Sequence, residues 1–277
     1  MDQLIKAFGF PATLVHGDTL VWDRWRWLKP RLRKHRGGRL LDVGCGSGAF
    51  TIGAARMGYE ALGLSWDERN QRVARERAAI VKAETAGFDI CDVRQLGSRS
   101  DLLCKFDVVI CLETIEHILD DLKLMKDIAG CLRPSGTLLL TTPYKGFRAI
   151  GPQPDDGQLS TIEDGGHVRR GYSDSDLEGL CAHAGLEVDE ISSCSGFMSQ
   201  KATYLFRVGC GVNRLLGWAA ILPLRVLPLF EGRLGKFLKW PDYSICLRAH
   251  KPSASHSPLL VPTVAETVNR DLLSGCQ

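Results

Sequence analysis

Three glycines at alternate positions, Gly44, Gly46 and Gly48, stand between a short apolar run, Gly38 to Val43 (GRLLDV), and a helix-forming stretch, Ala49 to Arg56. This is the feature that most constrains the fold. Glycine reaches backbone conformations closed to other residues and carries no side chain to hold a ligand away. A strand that passes through such a turn into a helix also aims the helix N-terminus at whatever occupies the turn.

The same alternation continues along the chain. Glu60 to Leu64 reads as a second strand, followed by a charged helix from Asp67 to Lys82 whose partial apolar face is Val73, Ala74, Ile80 and Val81. Ala86 to Cys91 is a third strand, and Phe106 to Leu112 (FDVVICL) a fourth, whose unbroken hydrophobicity suits a strand covered on both faces. Ile118 to Leu132 is expected as a helix stopped by Pro134 and Gly136, and Thr137 to Thr142 as a fifth strand ended by Pro143. Ser173 to Ala184 has the signature of a capped helix, with Ser173 as N-cap, Asp176 at the third position and Gly185 at the end. Leu186 to Ser192 and Tyr243 to His250 supply strands six and seven. Alternating strands and helices with short links imply a mostly parallel sheet with helices on both faces, because parallel neighbours need a crossover.

The division expected is an N-terminal helical cap over 1–37, a ligand-binding core over 38–195, an apolar and basic insertion over 196–241, the last core strand over 242–251, and a polar tail over 252–277 with at most a short helix near Val264 to Leu273. At 277 residues, 44% apolar and 24% charged, the chain can bury one full core. Its ten cysteines are scattered without a C-x-x-C pair, which argues against zinc and for small buried hydrophobes. The first residues lack the charged start, apolar core and small-residue cleavage site of a secretory signal, so a reducing cytoplasmic setting is expected.

The glycine spacing is G-x-G-x-G rather than the G-x-G-x-x-G of dinucleotide folds, and Asp42 lies just ahead of it in LDVGCGSG. An acid there suits a ligand carrying an amino group, not a pyrophosphate. Together with FDVVICLETIEHI and CLRPSGTLLLTTP, in that order, this segment resembles the Rossmann-like (class I) S-adenosylmethionine (SAM)-dependent methyltransferases, nearest the ubiquinone-pathway O-methyltransferases, over about Arg24 to Ser195 plus the last strand.

The resemblance implies a seven-stranded sheet of order 3-2-1-4-5-7-6 with strand seven antiparallel, and SAM as cofactor. It implies that Gly44, Gly46 and Gly48 line the methionyl part of SAM, that Asp92 accepts from the adenine amino group with Val93 nearby, that Leu112 faces the cofactor, and that Arg24 contacts it. The family usually ends its second strand in an acid that grips both ribose hydroxyls; GLSWDE puts Ser65 there. Cyclopropane synthases and sterol methyltransferases resemble this chain in using a hydroxyl residue, so Ser65 would give one hydrogen bond while Trp66 packs on the adenine. Asp67 either assists or simply caps the next helix.

Methyl transfer from a sulfonium is an in-line displacement, so the protein mainly aligns the acceptor and manages its proton. In ETIEH, Glu113, Glu116 and His117 are expected near one side of a helix start. The pattern is similar to the E-x-x-E-H of small-RNA 2′-O-methyltransferases and ubiquinone-pathway O-methyltransferases, which implies that Glu113, Glu116, His117 and His167 hold Mg²⁺ or another divalent metal. The alternative is that Glu116 favours the helix N-terminus and His117 packs beside the cofactor, as in metal-free relatives. His117, with Glu116 beside it, is also the candidate general base.

Two segments bear on the acceptor. The leader WDRWRWLKPRLRKHRGGR clusters eight cations with Trp22, Trp25 and Trp27, which fits either RNA or tRNA held by phosphate contact and stacking, or an amphipathic helix with its aromatics packed inward; the second is favoured. In the insertion, Leu215 to Phe230 (LLGWAAILPLRVLPLF) is apolar but too short to span a bilayer, and Arg207, Arg214, Arg225, Arg233, Lys236 and Lys239 surround it. That suits a lid over a greasy acceptor or peripheral membrane contact. The expected acceptor is small and fairly apolar, quinone- or lipid-like, and attacked through oxygen. A nicotinamide-dependent oxidoreductase is opposed by the glycine spacing, and a non-catalytic membrane-associated scaffold remains as an alternative.

Overall fold

The computed structural model describes residues 2–15, 19–33, 37–151, 159–213, 217 and 238–253. Three helices precede the sheet: α1 (Asp2–Phe8), α2 (Pro11–Val15) and α3 (Thr19–Leu32). There follow β1 (Arg39–Val43), α4 (Ala49–Ala55), β2 (Glu60–Ser65), α5 (Glu68–Ile80), β3 (Ala86–Ile90), β4 (Phe106–Leu112), α6 (Asp121–Cys131), β5 (Leu132–Pro143), α7 (Asp174–His183), β6 (Glu187–Cys194), α8 (Phe197–Val212) and β7 (Ser244–His250). The strands form one sheet in the order β3-β2-β1-β4-β5-β7-β6. Strand β7 runs antiparallel to both β5 and β6, and the other pairings are parallel. The expected fold class and strand order are both observed.

Strand alternation divides the core between the two faces of the sheet. Leu41, Val43, Val109, Cys111, Leu138 and Leu140 pack with Leu124, Met125 and Ile128 of α6 and Leu177 of α7. Leu40, Val108, Ile110 and Leu139 pack on the opposite side with Trp25 and Leu28 of α3, Ile52 of α4 and Ala74 of α5. The leader is therefore a core element. Trp25 and Trp27 are 5% and 7% exposed, which removes them as platforms for stacking bases. Arg31 lies over the Trp27 ring at 4.4 Å and pairs with Glu190, and Arg39 pairs with Glu60. Lys34 and Arg36 of the basic leader lie outside the described residues.

The caps explain where helices begin. Asp67 accepts from the backbone N–H groups of Arg69 and Asn70, so its capping role is the one observed. Ser173 and Asp176 form the reciprocal capping box at α7. Helix α6 starts at Asp121 rather than Ile118, because the Asp120 side chain accepts from Lys123 N and sets the cap there. Strand β5 begins earlier than expected: Leu132 already pairs with Phe106, across a register shift that the following turn accommodates. Ser135 in that turn has a positive φ of 63°.

The insertion opens with α8, which packs against α3 through Thr19 Oγ1 donating to the Ser199 carbonyl at 2.9 Å. Most of the apolar run Leu215 to Phe230, and the tail with its expected short helix, lie outside the described residues. Among the described residues no helix is long and apolar enough to cross a membrane.

Candidate active site

The turn after β1 is shaped by close contacts. Gly44 has φ +85°, and a Cβ there would lie 2.3 Å from Thr114 Oγ1, so both sterics and conformation demand glycine. Gly48, at φ +78°, is pressed against Phe88 and Ala74. Gly46 differs: its φ is +50° and a Cβ would meet nothing within 4 Å, so its backbone borders open space. The backbone N–H groups of Gly44 and Cys45 both donate to the Leu64 carbonyl, tying the turn to the end of β2.

Beneath this turn Asp42 is buried and accepts from Thr51 Oγ1 at 2.6 Å. Burial pushes its carboxyl up to about 7, with the Thr51 hydrogen bond pulling the other way. In the free protein the proton is thus shared near neutrality, and a cation brought close would expel it. Thr51, in the first turn of α4, was not singled out from sequence, because a threonine in a helix carries no signal of what it bonds.

At the ends of β2 and β3 the side chains converge on one cleft of about 150 Å³, lined by Trp66, Asp92, Val93, Arg94, His117, Ile118, Glu163, Asp164 and Gly165. Trp66 is 69% exposed, whereas Ser65 is buried and its Oγ accepts from Asp67 N at 3.3 Å. Asp92 caps a short 3₁₀ turn and is gripped by Arg94, whose Nε lies 2.9 Å from each carboxylate oxygen. The Arg94 hydrogen bonds hold Asp92 below the usual carboxylate range. Arg94 also reaches Glu163 at 2.9 Å, and Glu163 accepts from Leu119 N, so the loop after β5 is fastened across the cleft mouth. Leu112 is buried at the end of β4 among the residues that pack against α3.

The ETIEH segment differs from its expected helical start. Glu113 takes a positive φ of 51° directly after β4, and only Ile115–His117 form a 3₁₀ turn. The two glutamates therefore point to different partners. Glu113 pairs with Arg24 at 3.0 Å and accepts from Thr141 and Ser244. Arg24 is buried in that ion pair. Glu116 is 1% exposed and accepts from Thr142 Oγ1 at 3.1 Å, while its Oε1 has no hydrogen-bond partner. Burial, followed by the Glu113 charge, raises the Glu116 carboxyl well above the usual carboxylate range.

His117 and His167 meet edge to face with ring centroids 4.7 Å apart, and one ligand atom from each of Glu116, His117 and His167 lies within 4.8 Å of the others. Glu113 is outside this group. His117 Nδ1 is 3.0 Å from the Gly166 carbonyl. Since a carbonyl only accepts, Nδ1 carries the proton, and in neutral imidazole Nε2 keeps its lone pair. A buried acid whose Oε1 has no hydrogen bond, with the imidazole Nε2 3.9 Å from it, can take a proton from a hydroxyl or bind a small cation. Thr141, Thr142, Ser244 and Glu163 complete these networks; they lie 26 or more residues along the chain from the groups they bond, so local patterns do not reveal those bonds.

A methyltransferase domain family matches residues 22–191. The ubiquinone biosynthesis O-methyltransferase of Marinobacter nauticus is 26% identical over 183 residues, covering 64% of this chain and 74% of that protein. The enzyme of the same name from Alkalilimnicola ehrlichii is 35% identical over 106 residues, 38% of this chain and 42% of that protein. Apart from the Marinobacter protein, the chain spans half or less of the length of the curated relatives it matches. Among solved structures, phosphoethanolamine N-methyltransferase 2 of Haemonchus contortus in complex with SAM has a TM-score of 0.60 at 18% identity, over 91% of this chain and 60% of that one. The [4+2]-cyclase SpnF has a TM-score of 0.56 at 21% identity, over 82% and 80%. These structural likenesses establish the fold; a cyclase among them illustrates that fold alone does not set the chemistry.

Proposed function

The chain belongs to the methyltransferase-domain family and is a SAM-dependent methyltransferase, and from that premise we propose that it transfers the methyl group to oxygen on a small, fairly apolar acceptor such as a quinol or phenol. The observation that carries the oxygen reading is His117, whose Nδ1 is held by the Gly166 carbonyl while its Nε2 lies 3.9 Å from Oε1 of the buried Glu116. The O-methyltransferases among its relatives support the same class of acceptor.

In this reading Gly46 gives the methionyl chain room to approach the backbone, and Asp42 receives the ammonium group, releasing its own proton. Trp66, Val93 and Asp92 bound the adenine; a carboxylate has about four acceptor positions, so Asp92 can serve an amino group while held by Arg94. Ser65 offers a single hydrogen bond to the ribose, and Leu112 faces the cofactor. Arg24 acts through Glu113, holding the end of β4 in the strained turn that aims Glu116 and His117. S-adenosylhomocysteine leaves as product.

His117 removes the acceptor's proton as oxygen attacks the methyl carbon in line with the departing sulfur. Glu116, Thr142 and Gly166 hold the imidazole and its surroundings in register. A divalent cation fits the donor set in part. Glu116, His117 and His167 would hold it, the orphaned Glu116 Oε1 facing it, whereas Glu113 is committed to Arg24. Such a cation would supply acidification of the acceptor hydroxyl.

The insertion over 196–241 is assigned to covering the acceptor or resting on a membrane surface. Calorimetric titration with SAM and with NAD, followed by transfer of labelled methyl to a panel of phenols and quinols, tests the reading. Binding of SAM but not NAD, with label on oxygen, is expected; label on nitrogen or carbon alone would overturn the acceptor class.

A further inference from the structure

Two stretches of irregular chain meet at His117. One is the 3₁₀ turn Ile115–His117 with the residues that lead into α6; the other is a strap from Glu163 to Tyr172, between β5 and α7. Val168 N donates to the Glu116 carbonyl at 3.0 Å, and His117 Nδ1 lies 3.0 Å from the Gly166 carbonyl. At its far end the strap runs onto β5. Tyr172 N donates to the Pro143 carbonyl, and a Cβ on Gly171, whose φ is +146°, would lie 2.2 Å from that same oxygen.

Arg169 is the side chain that joins the two stretches. Its Nη2 donates to the carbonyls of Ile118 and Leu119 at 2.6 and 2.9 Å, and its Nη1 pairs with the Asp121 carboxylate. Tyr172 OH donates to the same Asp121 oxygen at 2.8 Å and lies 3.4 Å from the Ile115 carbonyl, while its ring stands 5.4 Å from the guanidinium carbon. A planar guanidinium holds a carboxylate with one nitrogen and two carbonyls with another; a lysine ammonium, a point charge, does not reproduce that geometry. The two carbonyls directly follow His117 in sequence, and Gly166 lies just ahead of Arg169 on the strap. The guanidinium and the imidazole therefore cross the same gap in opposite directions.

We propose that Arg169, with Asp121 and Tyr172, is a positioning residue for His117: it holds the strap against the turn, so that the Gly166 carbonyl keeps the imidazole proton on Nδ1 and Nε2 is the nitrogen offered to the acceptor hydroxyl. This rests on the His117 reading above and deepens it. A neutral imidazole carries its proton on either nitrogen, and the hydrogen bond made by one decides which. Only the Nδ1–H form can take a proton at Nε2. A hydrogen bond of ordinary net strength weights such an equilibrium by roughly fivefold, and here it needs Gly166 held in place. The strap thus has two fasteners with separate work. The Arg94–Glu163 pair ties it at the cleft beside Asp92, and Arg169 ties it at the imidazole.

Nitrogen-15 NMR of the imidazole rings in the full chain, with EDTA present and without SAM or acceptor, reads the tautomer directly. The His117 signals are assigned by their loss in His117→Asn, and the spectra are taken on the neutral ring. The unaltered chain is expected to show Nδ1–H in excess, and in Arg169→Gln the ratio of Nδ1–H to Nε2–H should fall at least about fivefold. Arg169→Lys, which keeps a charge for Asp121 but not the fork, should lie between the two. Tyr172→Phe, which keeps the packed ring, should shift the ratio the same way by less. A merely structural Arg169 would lower the denaturation midpoint and leave the ratio alone; that result, or Nε2–H in excess in the unaltered chain, overturns the proposal. If Arg169→Gln does not fold, Tyr172→Phe decides by itself, a shifted ratio supporting the proposal and an unchanged one overturning it. Because neither cofactor nor acceptor is present, failure of the strap and failure of the methyl-transfer reading are separate results.

Discussion

The two sides of the site are built by different physics. On the cofactor side, from β1 through α5, backbone conformation and steric exclusion do the shaping: Gly44 and Gly48 sit at positive φ against packed neighbours, and Asp42 is sealed below them. In the chain after β3 and β4, polar side chains distant in sequence hold irregular chain in place, as Glu113 does with Arg24, Thr141 and Ser244, and Glu163 with Arg94. The first kind of order leaves no room for a side chain at Gly44 or Gly48. The second can be rewired pair by pair.

Substitution at His117 should separate the sides most sharply. His117→Asn is expected to lower turnover by ~10²- to 10⁴-fold, the usual contribution of a positioned general base, while SAM affinity measured by calorimetry stays nearly unchanged. Unchanged turnover would remove both the base and the metal role.

On the cofactor side the paired substitutions Gly44→Ala and Gly46→Ala come next. The first adds a Cβ 2.3 Å from Thr114 Oγ1, the second one with open space around it. Chemical denaturation should show Gly44→Ala costing about 2–3 kcal/mol and Gly46→Ala about 1 kcal/mol, from left-handed strain alone. The order should invert for SAM affinity normalised to folded protein, because only the Gly46 Cβ projects toward the ligand. Equal costs in both measurements would break the steric account.

A smaller effect concerns pH. Burial raises the folded-state Asp42 carboxyl to about 7, well above the ordinary carboxylate range, so the folded protein holds the proton that the unfolded chain gives up. The stability of the free protein should therefore fall as pH rises from about 4 toward 7, through this group. SAM, bringing a cation, requires the ionised form, so its affinity should weaken by up to about tenfold per pH unit below 7, with proton release visible in buffers of different ionisation enthalpy. Asp42→Asn should abolish that proton release.

The smallest expected effect is at the Arg94–Glu163 fastener across the cleft mouth. Arg94 is half exposed, so its pair with Glu163 should contribute no more than about 1 kcal/mol to stability in a double-mutant cycle. Proteolysis in the 159–170 loop should nevertheless increase in Glu163→Gln, since that carboxylate also holds Leu119 N.

Reading the chain alone reached the alternation of strands and helices, the glycine turn, the capping box at Ser173 and the inward-facing tryptophans of α3, because each leaves a local mark: a period, a spacing or a cap residue; the strand order came through the resemblance to a family. It also grouped Glu113, Glu116 and His117 with His167 of the following loop, and the last three of these come together in the structure. It did not reach the turn of Glu113 away from that group. The expected helix would have aligned the two glutamates; the positive φ at Glu113 and the buried Arg24 send them apart. Nor did any pattern connect Arg169 on the strap with Asp121 at the start of α6.

What the sequence by itself determined is the class of fold and the cofactor it serves, since strand alternation and glycine placement answer to the backbone, whose demands repeat at short range. What only the tertiary structure decided is which charges are paired with which. Pairing depends on side chains brought together from 89 residues apart, as with Arg24 and Glu113, and separation along the chain says nothing of distance in the fold.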